Sequence, residues 1–328
     1  MKRSHILCVL SLMLCYADIY PILAQAPTTP KIAFMTARNG NRDIYLMNPD
    51  GSKMERITRH RAMDVGPQWS PTGEQILFHS DRDRFPFSWD LYLMDADGTK
   101  VRRIFAKSMD RSGADWSPDG EQIAYTRWEQ GKFFIYIAPI DGKKEERMAI
   151  GSQPSWSPDG TEIAFIEGAP RDPKRISILN VKTGKHKFFF PPKAPDWVRH
   201  VAWSPTGDKL AFSWNTEVPG DHDTETIYIV NRDGTGVRQV INKAVRRAVE
   251  PSWSPAADTL LYHAFDKNDD LQMFKVSLAD GVPVQLTPPG FWHYVGDWFD
   301  PAFALPVSPQ PYLLAITWSK MKKITSQK

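Results

Sequence analysis

One phrase recurs through the chain: WSPTGEQILF from Trp69, WSPDGEQIAY from Trp116, WSPDGTEIAF from Trp156, WSPTGDKLAF from Trp203 and WSPAADTLLY from Trp253. The tryptophans lie 47, 40, 47 and 50 residues apart. Repeats of about 40–50 residues belong to propellers and other arrays, whose units bury apolar surface only against each other. Inside the unit that starts at Trp69, SPTG is a turn and QILFHS alternates like a strand. DLYLMDADGT is a further strand ending in Asp-Gly, and VRRIF is a last one. Proline pre-sets the turn backbone, glycine accepts its positive φ, and Asp-Gly between apolar runs is a strong hairpin signal. Asp-Gly returns at Asp50, Asp97, Asp141, Asp233 and Asp280. Four antiparallel strands per unit predict a propeller blade. Strand-type alternation and 27 prolines exclude a helical solenoid.

The count of blades follows from the ends. KIAFMT at 31–36 is a strand pattern with no WSP before it. VGDWFDPA at 295–302 has the tryptophan but no apolar strand after it, and Trp298 lies 45 residues beyond Trp253. The reading is therefore all-β: a six-bladed propeller of four-stranded blades, its first blade closed by a C-terminal inner strand. Joining the ends in one sheet removes two exposed edges.

Residues 1–26 form a separate segment. Lys2 and Arg3 precede an apolar run to Tyr16, and Ala24-Gln25-Ala26 ends it, the layout of a secretory signal peptide. Cleavage is expected near Ala24 or Ala26, giving a periplasmic or secreted protein. Both cysteines, Cys8 and Cys15, lie in this leader, so the exported part has neither a disulfide nor a thiolate metal site. The propeller is expected over 27–303 and a tail over 304–328. No later run is long and apolar enough to span a bilayer. A net charge of +3 is too small and scattered for nucleic acid.

Blades of the form P-x-WSPDG-x-x-IAF…DIYLM-x-x-DG…LT, seen in WSPDGEQIAY and RDIYLMNPDGSKMERIT, resemble the β-propeller repeat of the TolB family over about residues 31–301. WSPAADTLLY departs from it, with Ala257 at the turn glycine. The resemblance implies a periplasmic six-bladed propeller that binds proteins and has no catalysis of its own. TolB itself carries an α/β domain ahead of the propeller. Here the repeat starts soon after the leader, so what carries over is the fold and the binding habit.

Related propellers also occur in prolyl-oligopeptidase-like peptidases and in oligogalacturonate lyases. The first need a G-x-S-x-G elbow, which the sequence lacks; HExxH, a phosphate-binding glycine loop and paired cysteines are missing too. The second need a histidine-rich metal site. His200 and His293 precede inner-strand tryptophans, and two candidates do not make a site. His79 and His263 share a register on second strands two blades apart and read as surface histidines. DKNDDLQ at 266–272 and DHDTE at 221–225 carry oxygen ligands at calcium-like spacing, and Asp and Asn also favour turns. The expectation is no enzyme, no cofactor and no metal, with the repeated tryptophans as core.

A partner is expected at the variable connections, because the SPxG and Asp-Gly turns at the other end barely differ between units. The segments entering each inner strand there carry Asp64, Arg111, Arg199, His200, Arg246, Arg247, Glu250, Trp292, His293 and Tyr294. Arginines mixed with aromatics suit an interface. The residue three before each tryptophan runs Gly66, Gly113, Gln153, His200, Glu250 and Val295, a ring small on one side and polar on the other. The expected partner of this monomer is an envelope protein or peptide. The alternative is a carbohydrate-binding or carbohydrate-active propeller, with Phe85, Phe87, Trp89, Trp197, Trp214 or Trp292 stacking on sugar.

Overall fold

Branched and aromatic residues fill the second and third strand of every unit, and such side chains suit a pleated, buried surface. The computed structural model describes residues 24–83, 88–168, 173–190, 197–215, 223–242 and 245–306. Among them every helix or strand is a strand: 24 in all, grouped in six antiparallel sheets of four. No helix long and apolar enough to cross a membrane occurs among the described residues. Residues 1–23 and 307–328, which hold most of the expected leader and tail, lie outside them, as do Phe85 and Phe87.

Blade 1 joins the two ends. Lys31–Thr36, Asp43–Met47 and Glu55–Arg56 form three of its strands, and His293–Phe299 is the innermost. Lys31 pairs with Phe299, Ile32 with Trp298 and Thr36 with His293. Blades 2 to 6 follow in chain order, with inner strands Asp64–Trp69, Arg111–Trp116, Ser152–Trp156, Val198–Trp203 and Val249–Trp253. Each inner strand contacts its neighbours on both sides, so the ring closes around a central channel.

Six apolar clusters hold the ring, one between each pair of blades. Ala33, Ile44, Trp69 and Ile76 meet between blades 1 and 2, and Phe34, Met47, Leu261 and Met273 between blades 6 and 1. A middle strand therefore packs a neighbour on each face. This is why Ile76, Leu77 and Phe78 are all buried, where alternation in QILFHS predicts that every second residue is exposed. The period-two signal expected of a one-sided sheet is lost when both faces are dry. The tryptophans at 69, 116, 156, 203 and 253 are buried in these seams, each 5–7% exposed.

The WSP turns are built alike. The serine hydroxyl accepts the backbone N–H five residues on at 2.9–3.1 Å in all five units. Four of the turns then place glycine at positive φ. Blade 6 places Ala257 there, at φ 58°, with its N–H still donating to the Ser254 carbonyl at 2.8 Å. A side chain in the left-handed region is strained by roughly 1–2 kcal/mol. Replacing Ala257→Gly should raise the unfolding free energy by about 1 kcal/mol in a urea titration. No change would mean that the turn relaxes elsewhere.

Closure makes a second expectation. A chain ending at residue 290 lacks the inner strand of blade 1 and exposes two sheet edges, so it should aggregate or melt far below a chain ending at residue 306. Equal thermal midpoints by circular dichroism would contradict a ring held shut by that strand.

Candidate functional site

The channel surface comes from one irregularity repeated in the inner strands. In blades 2 to 6 the pairing of inner with second strand shifts register just before the tryptophan, at Val65/Gln68, Ser112/Asp115, Ser152/Ser155, Arg199/Ala202 and Val249/Ser252. Such a bulge re-aims side chains. After it, the residues three before and one before the tryptophan both face the channel, while the tryptophan turns into the blade seam. The resulting cavity measures about 1230 Å³.

The first ring, three before the tryptophan, is the one the sequence suggests. Gly66 and Gly113 sit at φ 60° and 53°, where glycine is at ease. Gln153, His200 and Glu250 hold the same conformation, at 55°, 51° and 56°. Their amides are tied in turn: Gln153 donates to Thr126 Oγ1 at 2.9 Å, His200 to Gln153 Oε1 at 3.1 Å and Glu250 to Ser213 Oγ at 3.1 Å. Blades 5 and 6 add a second left-handed residue six before the tryptophan, Trp197 at 69° and Arg247 at 56°. In blade 1 Gly296 and Asp297 line the channel.

The ring one before the tryptophan went unnoticed in the sequence, and it ties the blades together. Asp115 accepts from its own Trp116 amide at 3.0 Å and from Trp156 of the next blade at 2.6 Å. Asp297 does the same with Trp298 at 2.8 Å and Trp69 at 2.9 Å, and Ser155 Oγ accepts from Trp203 at 3.0 Å. Burial pushes the Asp115 carboxyl up to about 7 and the Asp297 carboxyl up to about 6; Asp297 adds repulsion at Asp115, and the tryptophan amides pull both back.

Of the residues picked from sequence, Arg199, His200 and Glu250 line the channel together. His200 Nε2 lies 3.4 Å from Glu250 Oε1, and His263 Nδ1 lies 3.4 Å from Glu250 Oε2. Burial lifts the Glu250 carboxyl to about 7, with Arg247 and Arg199 opposing. Tyr294 stands beside them, its ring 5.4 Å from that of His263. Arg246 turns outward to Asp269 at 2.7 Å and over Phe265, and Trp292 is half exposed away from the lining. Asp64, Arg111 and His293 are buried within the blades. Arg82 grips Asp64 at 2.6 and 3.1 Å, Arg111 pairs with Asp90 at 2.9 Å and with Glu145, and His293 packs on Phe34.

The histidines at 79 and 263 are not surface residues. His79 lines the channel because residue 66 is glycine: a Cβ there would meet the imidazole at 2.3 Å. His263 is 1% exposed. Burial lowers them to about 4 and about 3, so both are neutral. In the acidic loop after 265, Asp266 Oδ1 accepts from the amides of Asn268 and Asp270, an ordinary turn; residues 221 and 222 lie outside the described residues. Among the described residues no three metal-ligating side chains converge.

A raised folded-state pKa means that the native state holds a proton that the unfolded chain has released. The stability from Asp115 is then full below about pH 4 and lost as pH rises towards 7. The stability advantage of the native sequence over Asp115→Asn should shrink between pH 5 and pH 8, read as the difference in thermal midpoints. A constant gap would contradict the raised value.

Comparison with known proteins agrees with this geometry. A family described as "TolB beta propeller domain" matches residues 21–153 and 146–301. The Tol-Pal system protein TolB of Geobacter sulfurreducens is 40% identical over 52 residues, 16% of this chain and 12% of that protein. TolB from Acinetobacter baumannii superposes with a TM-score of 0.69 at 17% identity, covering 82% of this chain and 66% of that one. An oligogalacturonate lyase in complex with manganese gives 0.51 at 18% identity over 80% of this chain and 74% of its own. At such identities the structural matches speak for the fold alone.

Proposed function

This chain belongs to the TolB β-propeller family, and on that premise we propose that it is an exported, non-catalytic binding propeller. Its partner is a protein or peptide of the cell envelope, met at the variable-loop mouth of the channel. It acts as a monomer without a cofactor. One observation carries the reading. Gln153, His200 and Glu250 hold left-handed backbone without being glycine and line the channel on blades 4 to 6, and Trp197 and Arg247 hold it three residues before His200 and Glu250. The same ring in blades 2 and 3 uses glycine. Strain of this kind, roughly 1–3 kcal/mol per residue, clusters at functional sites because the side chain is needed there.

The carbohydrate alternative has less support. Asp115 and Asp297 share the channel, yet each holds two tryptophan amides, and two of the described aromatics pack on neighbouring side chains. Trp214 packs on Tyr228 at 5.0 Å and Trp89 on His79 at 5.4 Å. The Tol-Pal role named for the relatives is open for this chain, since the matched stretch is a small part of them.

The test is capture of envelope proteins by the mature chain. Arg199→Ala, His200→Gly and Glu250→Gly should lose the partner, while Asp97→Ala at the opposite face keeps it. The two glycine variants should melt no lower than the native chain, because strain is relieved. Loss with Asp97→Ala and retention by the mouth variants would place the site on the wrong end.

A further inference from the structure

The mouth is asymmetric in chemistry as well as in backbone. On blade 3 the glycine leaves room: a Cβ on Gly113 would find only Thr126 Oγ1, at 3.5 Å, whereas His79 fills the space beside Gly66. Beside that room stands an apolar wall. Phe133 lines the channel and packs at a tilt on Trp128, ring centroids 4.6 Å apart, with Trp128 38% exposed on the hairpin of blade 3; Ile166 of blade 4 continues the wall.

Next to the wall, on blades 4 and 5, come two cations. Arg199 and Lys174 both line the cavity, and the Val198 amide donates to the Lys174 carbonyl at 3.2 Å, which fixes their neighbourhood. The Arg199 guanidinium approaches Glu225 at 3.8 Å, the outer edge of ion-pair distance, and its side chain is 39% exposed. Lys174 Nζ donates to the Gly168 carbonyl at 3.0 Å.

The far opening is narrowed. After the last inner strand the chain turns across the proline side of the channel, where the Leu305 amide donates to the Pro71 carbonyl at 2.9 Å and Ala304 packs on the cluster between blades 1 and 2. Phe303, Ala304 and Leu305 all line the cavity. An occupant entering from the variable-loop side meets these residues at the far end, on the side of blades 1 and 2.

We propose that the mouth receives the free C-terminus of a partner chain that ends in an apolar residue. The terminal carboxylate lies against Arg199 and Lys174, and the last side chain fills the space over Gly113 against Phe133. An end fits a channel narrowed at its far side, because a single strand enters with half the cross-section of a loop. A guanidinium and an ammonium together favour a carboxylate. This inference rests on the binding reading above and adds the chemical class of the ligand. The same carboxylate chemistry is available from an Asp or Glu side chain, so the test separates the two sources.

Hexapeptides Gly-Ser-Gly-Ser-Ala-X, with X as Phe, Trp, Leu or Val, are titrated calorimetrically against the full mature chain in three forms: free acid, C-terminal amide, and amide with Asp before X. The free acid should bind at least about tenfold tighter than either amide, the scale of a charge-assisted contact. Arg199→Ala should narrow the gap between acid and amide, Arg199→Ala with Lys174→Ala should close it, and Phe133→Ala should weaken the acid while leaving its preference over the amide. Equal binding of acid and amide by the native chain would overturn the proposal, as would equal binding of the Asp-containing amide, which would assign the contact to a side chain. Absence of binding by every peptide, with envelope capture still dependent on Arg199, would overturn the terminus claim and leave the wider reading standing.

Discussion

The ring depends on one pairing, the antiparallel contact between Lys31–Thr36 and His293–Phe299. Every other blade is made from consecutive chain and needs only local turns. This one brings together residues more than 250 positions apart, at a loop-closure cost that rises only slowly with length. Once it forms, Asp297 reaches the Trp69 amide and Trp298 joins the cluster between blades 6 and 1. The two seams beside blade 1 are then like the other four. Five blades without it would leave inner-strand groups of blades 2 and 6 without neighbours.

The channel inherits its properties from the same bulge that makes the seams. A bulge aims two residues inward and one tryptophan sideways, so packing and lining are set together. In three blades the side chain before the tryptophan is held to a structural task, by Asp115, Ser155 and Asp297. The residue three before is put to different uses: Gly66 makes room for His79, Gln153 accepts the His200 amide of the next blade, and His200 meets Glu250 at the polar mouth.

Much of this was legible beforehand. The five WSP phrases, the Asp-Gly turns and the detached Trp298 specify six blades and the shared one, because turn residues and spacing act locally. The ring at 66, 113, 153, 200 and 250 was also legible, since its register is fixed by counting back from a tryptophan. Burial of Asp64, Arg111 and His293 was not. Their partners Arg82, Asp90, Glu145 and Phe34 lie in other strands and turns, and no spacing announces them. His79 was misread because its place in the channel depends on the missing side chain at Gly66, a contact between two strands. Lys174 and Phe133 sit in loops and hairpin starts whose direction only the folded ring decides.

The shared blade also decides how the molecule carries load. Lys31 and Phe299 are directly opposed, so both ends of the propeller leave from the same end of one antiparallel pair. Tension between them does not shear that pair along its length. After the Leu305 amide lets go of Pro71, it opens the pair like a zipper, one rung after another from Lys31 towards Thr36. A sheared pair shares force across all its rungs at once; an unzipped one bears it on the rung next in line. Chemically the ring is sealed on every side, and mechanically it has a single seam placed where its two tethers emerge.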